Sequence, residues 1–214
     1  MLNLKIVVGS TREGRASDRV VPWVARRAGS IDAFATEVID LREWALPMFA
    51  ETAHTVGDFA NPTYSQPLVR QWNDVMRSAD AFLFVTPEYN HSVPGVLKNA
   101  LDNLFASFAL RHKPVGLDGY SGGAVGGARG VEHLAHILIE AEAIPLRNSV
   151  LIPAVQTAFD EAGHPADPVT DTALGILLED LEWWGRVLAD ARPTSLPHAL
   201  MRMKARALEH QRAS

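Results

Sequence analysis

Five short apolar runs alternate with amphipathic stretches along this chain, and that alternation limits what it can fold into more than any other feature. The runs cover residues 4–8, 35–41, 81–85, 113–117 and 148–155. Each is too short for a helix and reads as a strand; the run 81–85, rich in aromatic and aliphatic residues, reads as a buried one. Between and after them, apolar residues recur at helical spacing. One stripe is Val20, Val21, Val24, Ala25 and Ala28; another is Val69, Trp72, Val75, Met76 and Ala79. Val96, Leu97, Ala100, Leu101 and Leu104 form a third, Val131, Leu134, Ala135, Leu138 and Ile139 a fourth, and Leu174, Leu177, Leu178, Leu181, Trp184 and Leu188 a fifth. Strands that alternate with helices in this way call for a parallel sheet with helices on both faces.

Three of the strands lead into loops that carry chemistry. After the first come Gly9-Ser10-Thr11-Arg12-Glu13-Gly14-Arg15-Ala16-Ser17 and the start of a helix. A helix start offers unpaired N–H groups and partial positive charge, and here hydroxyls and two arginines join it, so the segment can cradle a phosphate. The plainer reading is a capped surface loop with solvated arginines, and neither P-loop nor dinucleotide glycine spacing is present. After the third strand comes Thr86-Pro87-Glu88-Tyr89-Asn90-His91-Ser92-Val93-Pro94. Pro87 halts the strand and Pro94 suits the first turn of a helix, with Ser92 as its expected N-cap. The fourth strand is followed by residues 119–127, five of which are glycine. So many glycines imply unusual dihedrals or backbone lying flat against something.

Composition removes several alternatives. The 214 residues contain no cysteine, so disulfides, thiolate metal sites and cysteine nucleophiles are excluded. A net charge of −5 argues against a broad nucleic-acid or anionic-membrane surface. His54 and His91 find no third ligand at a recognisable spacing, so no metal site is read. The chain begins with a strand-like run and shows no signal-peptide pattern or transmembrane stretch, which reads as cytoplasmic. Residues 50–65 read as a loop of unusual length, and Ser65 and Thr170 as helix caps. Residues 196–212 read as a final amphipathic helix. Leu196, Leu200, Met203 and Ala207 line one side of it, and Arg202, Lys204, Arg206 and Arg212 lie away from it. It is expected to dock on its own body or on a sister subunit. The chain divides into residues 1–192, one α/β domain, and residues 193–214, a helical extension.

In the flavodoxin-like strand order 2-1-3-4-5, strands one, three and four are adjacent and their carboxyl ends form the crevice where ligands bind. A ligand with a phosphate tail and a flat ring system would touch all three loops, and FMN is such a ligand. The segments Gly9-Ser10-Thr11-Arg12, Thr86-Pro87-Glu88-Tyr89-Asn90 with Pro94 and Lys98-Asn99-Ala100, and Gly122-Gly123 with Gly126-Gly127 resemble the NADPH-dependent FMN reductase family. This is a flavodoxin-like group that includes quinone, azo-dye and chromate reductases. The resemblance spans about residues 4 to 155.

The resemblance implies a tightly bound FMN, with NADPH or NADH as co-substrate. Ser10, Arg12, Arg15 and Ser17 would hold its phosphate, with the closer arginine left open. Pro87, Glu88, Tyr89 and Asn90 would lie along the ribityl chain and one edge of the ring, and Tyr120, Ser121 and Gly122 would approach the other end. The expected activity is hydride transfer from the nicotinamide through flavin N5 to a quinone, flavin, azo compound or similar acceptor, with no catalytic side chain assigned. The alternative is a flavodoxin-like electron carrier or redox sensor that works through a protein partner. The resemblance further implies a homodimer or homotetramer, and neither nucleic acid nor membrane is expected as a partner.

Overall fold

The computed structural model of the protein describes residues 1–59 and 61–213. The side chains of Leu200 and Arg212 lie outside the described residues. Five parallel strands form one sheet in the order β2-β1-β3-β4-β5: β1 (Leu2–Val8), β2 (Phe34–Asp40), β3 (Ala81–Pro87), β4 (Pro114–Tyr120) and β5 (Ile144–Ile152). This is the flavodoxin-like order expected from the sequence.

Two apolar layers hold the sheet. On one face, α1 (Ser17–Gly29) and α6 (Pro168–Ala191) pack Val20, Trp23, Val24, Leu174, Leu177 and Leu181 against Leu4, Ile6, Leu83 and Val85. Trp23 lies outside the stripe read from the sequence. Its indole N–H donates to Asp171 at 2.9 Å and ties α1 to α6. On the other face, α3 (Pro67–Arg77), α4 (Gly95–Asp102) and α5 (Ala128–Glu140) pack Trp72, Met76, Leu97, Val131, Leu134 and Leu138 against Val7, Phe82, Phe84 and Leu117.

The element ends depart from the sequence reading in ways that matter for the site. Gly119 and Tyr120 belong to β4 and not to the loop after it. The segment at residues 50–65 contains a short helix, α2 (Ala53–Val56), closed by a reciprocal Thr52–Thr55 capping box. Ser65 and Ser92 are not caps: Ser65 gives its N–H and hydroxyl to Glu51, both at 2.8 Å, and the Ser92 hydroxyl pairs with His133. Asp167 instead of Thr170 caps α6, accepting from the Val169 N–H at 2.9 Å. After α6 a short turn (Arg192–Thr194) leads to α7 (Ala199–Ala213).

One row of residues crosses the α1/α6 face in register: Asp40, Val8, Val85, Asp118 and Val150. Its two acids sit in opposite circumstances. Asp40, at the edge, is held by the Arg15 guanidinium, and its carboxyl stays below the usual range. Asp118, at the centre, is fully buried, and neither oxygen has a partner among the described residues. Desolvation drives its carboxyl well above the usual carboxylate range.

Candidate functional site

The loops after β1, β3 and β4 meet at the carboxyl edge of the sheet, where strand order reverses. The first loop is organised by Arg15. Its guanidinium forks onto Asp40, donates to Asp18 at 2.8 Å and reaches the Ser10 carbonyl, and the side chain is 6% exposed. Both carboxylates raise the Arg15 pKa further, so the charge is permanent but already spent inside the loop. Arg42 donates to the Arg12 carbonyl and braces the same turn. Arg12 itself is exposed, with its guanidinium 5.6 Å from the centre of the Tyr89 ring. Of the two arginines the sequence could not separate, the structure makes Arg15 the scaffold and leaves Arg12 open.

Hydroxyls gather beneath this loop. Ser10 is buried and its Oγ lies 2.8 Å from the Tyr89 hydroxyl. Ser17, in the first turn of α1, is buried with its Oγ unpartnered among the described residues. Tyr120 comes here too, and not to the far end of the crevice. Its ring sits in the α1/α6 core, and its hydroxyl lies near those of Ser17 and Ser10 without hydrogen-bond geometry to either. Burial outweighs the neighbouring hydroxyls and pushes the phenol up to about 12. Two orphaned hydroxyls at a helix N-terminus, beside one open cation, fit the donor set of a phosphate group. That is the test the cofactor implied by the sequence has to pass.

The loop after β3 is a tight turn. Tyr89 and Ser92 exchange backbone hydrogen bonds of 2.8 and 3.0 Å, and Asn90 and His91 between them both have positive φ, 50° and 65°. Both central residues left-handed is the type I′ arrangement, and asparagine tolerates it better than most residues. Neither the Asn90 nor the His91 N–H has a backbone acceptor among the described residues, and both residues are exposed at the tip of the turn.

Two residues of α5, Arg129 and His133, clamp this turn. Glu88 accepts the Arg129 N–H at 3.1 Å and pairs with the Arg129 guanidinium. The same guanidinium lies 2.9 Å from His91 Nε2, and His133 Nδ1 is 3.0 Å from the Ser92 hydroxyl. Burial alone would raise the Glu88 carboxyl, but Arg129 outweighs it and holds the group below the usual range. Glu88 therefore faces α5, with its side chain 5% exposed, and does not lie along the crevice. Replacing Arg129 with methionine should leave Glu88 buried and unpaired and cost about 3 kcal/mol of stability. Urea unfolding of the variant measures this, and an unchanged midpoint would mean the pair contributes nothing.

The glycines after β4 do what their density implied. Gly126 and Gly127 have φ of 63° and 87°. A Cβ on Gly127 would sit 2.6 Å from the Tyr120 nitrogen, and one on Gly126 2.9 Å from the Ile152 nitrogen. The loop therefore lies directly on the ends of β4 and β5. Gly122 abuts the Gln156 side chain, and Ser121 turns its hydroxyl onto the Gly123 carbonyl at 3.1 Å. Pro87, the last residue of β3, is buried.

Several residues of the site went unread in the sequence. Asp40 stands near the end of the second strand run with nothing local to mark it. Arg129 carried a usable signal: a cation in the first turn of a helix opposes the dipole, so an acid is to be expected beside it. Asn99 and Asn103 hold the segment after β2. Asn99 accepts from the Phe49 N–H at 2.8 Å and donates to the Pro47 carbonyl at 3.0 Å, and Asn103 donates to that carbonyl at 3.1 Å.

The model of the family described as NADPH-dependent FMN reductase matches residues 2–157. An NAD(P)H-dependent FMN reductase of Pseudomonas aeruginosa is 35% identical over 148 residues, 67% of this chain and 75% of that protein. A quinone reductase of Escherichia coli K12 is 35% identical over 145 residues, 67% and 72% of the two chains. Among solved structures, FerB, a flavoenzyme NAD(P)H:(acceptor) oxidoreductase from Paracoccus denitrificans, superposes with a TM-score of 0.68 at 23% identity, over 87% of this chain and 98% of its own. With the strand order and the three converging loops, these matches establish that the chain belongs to the NADPH-dependent FMN reductase family of oxidoreductases.

Proposed function

We propose that the protein binds FMN across its three crevice loops and uses it to oxidise NAD(P)H at the expense of a quinone, flavin, azo compound or similar small acceptor. The observation that carries this reading is the division of labour in the first loop. Arg15 is consumed by Asp40 and Asp18, while Arg12 and the Ser17 hydroxyl are left unsatisfied at the start of α1. Arg12, Ser17 and the N–H groups of the first turn of α1 would hold the phosphate. The N–H groups of Asn90 and His91 would face the polar edge of the ring and orient it.

When bound, the cofactor supplies two-electron transfer: a hydride from the nicotinamide, then the electron pair to the acceptor, with a proton taken from solvent. The chain contributes position and polarity. The clamp from α5 fixes the height of the Asn90–His91 turn, and the glycine loop lets a flat group approach β4 and β5. No side chain is assigned as acid, base or nucleophile. The experiment is direct. Purified protein should carry flavin absorbance, release FMN on heating, and oxidise NADPH or NADH with a benzoquinone acceptor. Protein that takes up no FMN and oxidises neither nucleotide sinks the reading. Within it, Arg12→Ala should weaken FMN binding by about tenfold, or 1.4 kcal/mol, measured by flavin fluorescence titration of the apoprotein.

A further inference from the structure

We propose that the amino edge of the sheet, opposite the crevice, carries a second binding site that takes the phosphate group of a small organic phosphate. Arg111 and His112 lead into β4, Glu142 leads into β5, Arg192 follows α6, and Arg202 belongs to α7. These five side chains line a pocket of about 630 Å³, within the size range of a metabolite site, and Leu188 and Leu196 give it an apolar wall.

Two of the three arginines are built into the wall. Arg111 pairs with Glu142 and donates through Nη2 to the Leu196 carbonyl at 2.6 Å, which leaves its Nη1 without a partner among the described residues. Arg192 pairs with Asp80 and reaches the His112 carbonyl at 3.4 Å. Glu142 is the one acid of the lining, and both its oxygens are taken, one by Arg111 and the other by His198 at 3.1 Å.

Arg202 is different. Its Nε donates to the Pro197 carbonyl at 3.0 Å, while neither Nη has a partner and no acid lies within ion-pair distance among the described residues. It stands in the first turn of α7, where a cation opposes the helix dipole, and no acidic residue shares that turn. Arg129 stands in the same position on α5 and has Glu88 as its acid. The chain gives Arg202 no such acid, so an anion from solution is what would satisfy it. The field at His112 has the matching sign. Burial is the main cause that holds its imidazole below the usual range, and among the charges Arg111 acts the same way ahead of the opposing Glu142, with Arg192 adding to it.

The spread of the donors selects the head group. Arg111 and Arg202 come from different elements, and the His112 ring and the Ser195 hydroxyl add polar groups between them. A carboxylate satisfies a single guanidinium fork, whereas the three oxygens of a phosphate accept from both arginines at once. The two leucines leave room for an apolar body. Residues 188–202 lie beyond the family match, which ends at residue 157, so this wall is no part of the shared fold.

Phenyl phosphate, a phosphate on an apolar body, is the probe. Titrated calorimetrically into FMN-treated protein freed of excess flavin, it should bind at one site per chain. Arg202→Glu and Ser195→Asp, both at exposed positions, should each weaken it by about tenfold, the scale of one charge-assisted hydrogen bond. Arg12→Ala should leave it unchanged. Absence of binding at millimolar concentrations, binding indifferent to both acidic substitutions, or binding weakened by Arg12→Ala would overturn the site. Benzoate bound as tightly as phenyl phosphate would overturn the assignment of the head group. Flavin uptake is scored separately by absorbance, so failure of the FMN reading and failure of this one are distinguishable.

Discussion

Asp118→Val is expected to raise the melting temperature by about 5–10 °C at pH 7. The residue lies in register between Val85 and Val150 in a fully buried row, so valine completes a run of valines without altering the packing pattern. The aspartate brings two penalties. Both carboxyl oxygens are buried without partners among the described residues, a desolvation cost of about 1–3 kcal/mol. Its raised pKa adds a pH-dependent cost of about 1.4 kcal/mol for each unit.

The direction of that dependence is fixed. Below about pH 4, the usual carboxylate value, folded and unfolded chains are both protonated at this position and the second penalty vanishes. As pH rises toward neutrality the unfolded chain ionises while the folded one keeps its proton, so folding loses stability until the folded pKa is reached. The gain from valine should therefore grow from pH 4 to pH 7. Melting curves at several pH values in that window check it, and a gain that does not change with pH would show that Asp118 is ionised in the fold.

Arg15→Met is expected to destabilise the protein by about 3 kcal/mol, the scale for leaving one partner of a buried pair alone. Asp40 would lose its main partner, and the Ser10 carbonyl and Asp18 would each lose a donor. Arg15→Met/Asp40→Leu should recover most of the loss, because removing both charges removes the stranded one. The pH slope here is opposite to that of Asp118. The depressed Asp40 carboxyl contributes stability above its unfolded value, and that stability fades as pH falls through the lower folded value. The Arg15→Met deficit should thus shrink in acid. Arg12→Ala provides the contrast. It should change stability by less than about 0.5 kcal/mol while weakening FMN binding. If Arg15→Met left the urea midpoint alone and affected only flavin affinity, Arg15 would be a ligand and not a scaffold.

The sheet was legible because central runs such as Ala81–Val85 are buried on both faces and alternate with helical stripes, whereas the edge strands β2 and β5 are only partly buried. Element ends were less so. Asp118-Gly119-Tyr120 reads as a loop because aspartate and glycine disfavour strands. In the fold, Gly119 is needed where a Cβ would strike Val131 at 2.6 Å, and Asp118 is fully buried, with desolvation pushing its carboxyl above the usual range. Tyr120, which the sequence reads as a loop residue, is the last residue of β4 and alternates inward to α1. The three crevice loops were legible as segments, but not which of their side chains would be consumed internally. Arg15 with Asp40 and Glu88 with Arg129 are pairs 25 and 41 residues apart in the chain, and no local spacing announces them.

The left-handed pair at Asn90 and His91 has a thermodynamic consequence for loading. Two non-glycine residues at positive φ cost the chain of order 1–3 kcal/mol each. Here that cost is met while the polypeptide folds, by the Tyr89–Ser92 bridge and the three ties to α5. A ligand arriving at the crevice finds its donors already fixed and surrenders no ordering entropy at that loop. If FMN binds as proposed, its affinity would draw no cost from ordering this turn, and the turn would serve it as a template set during folding.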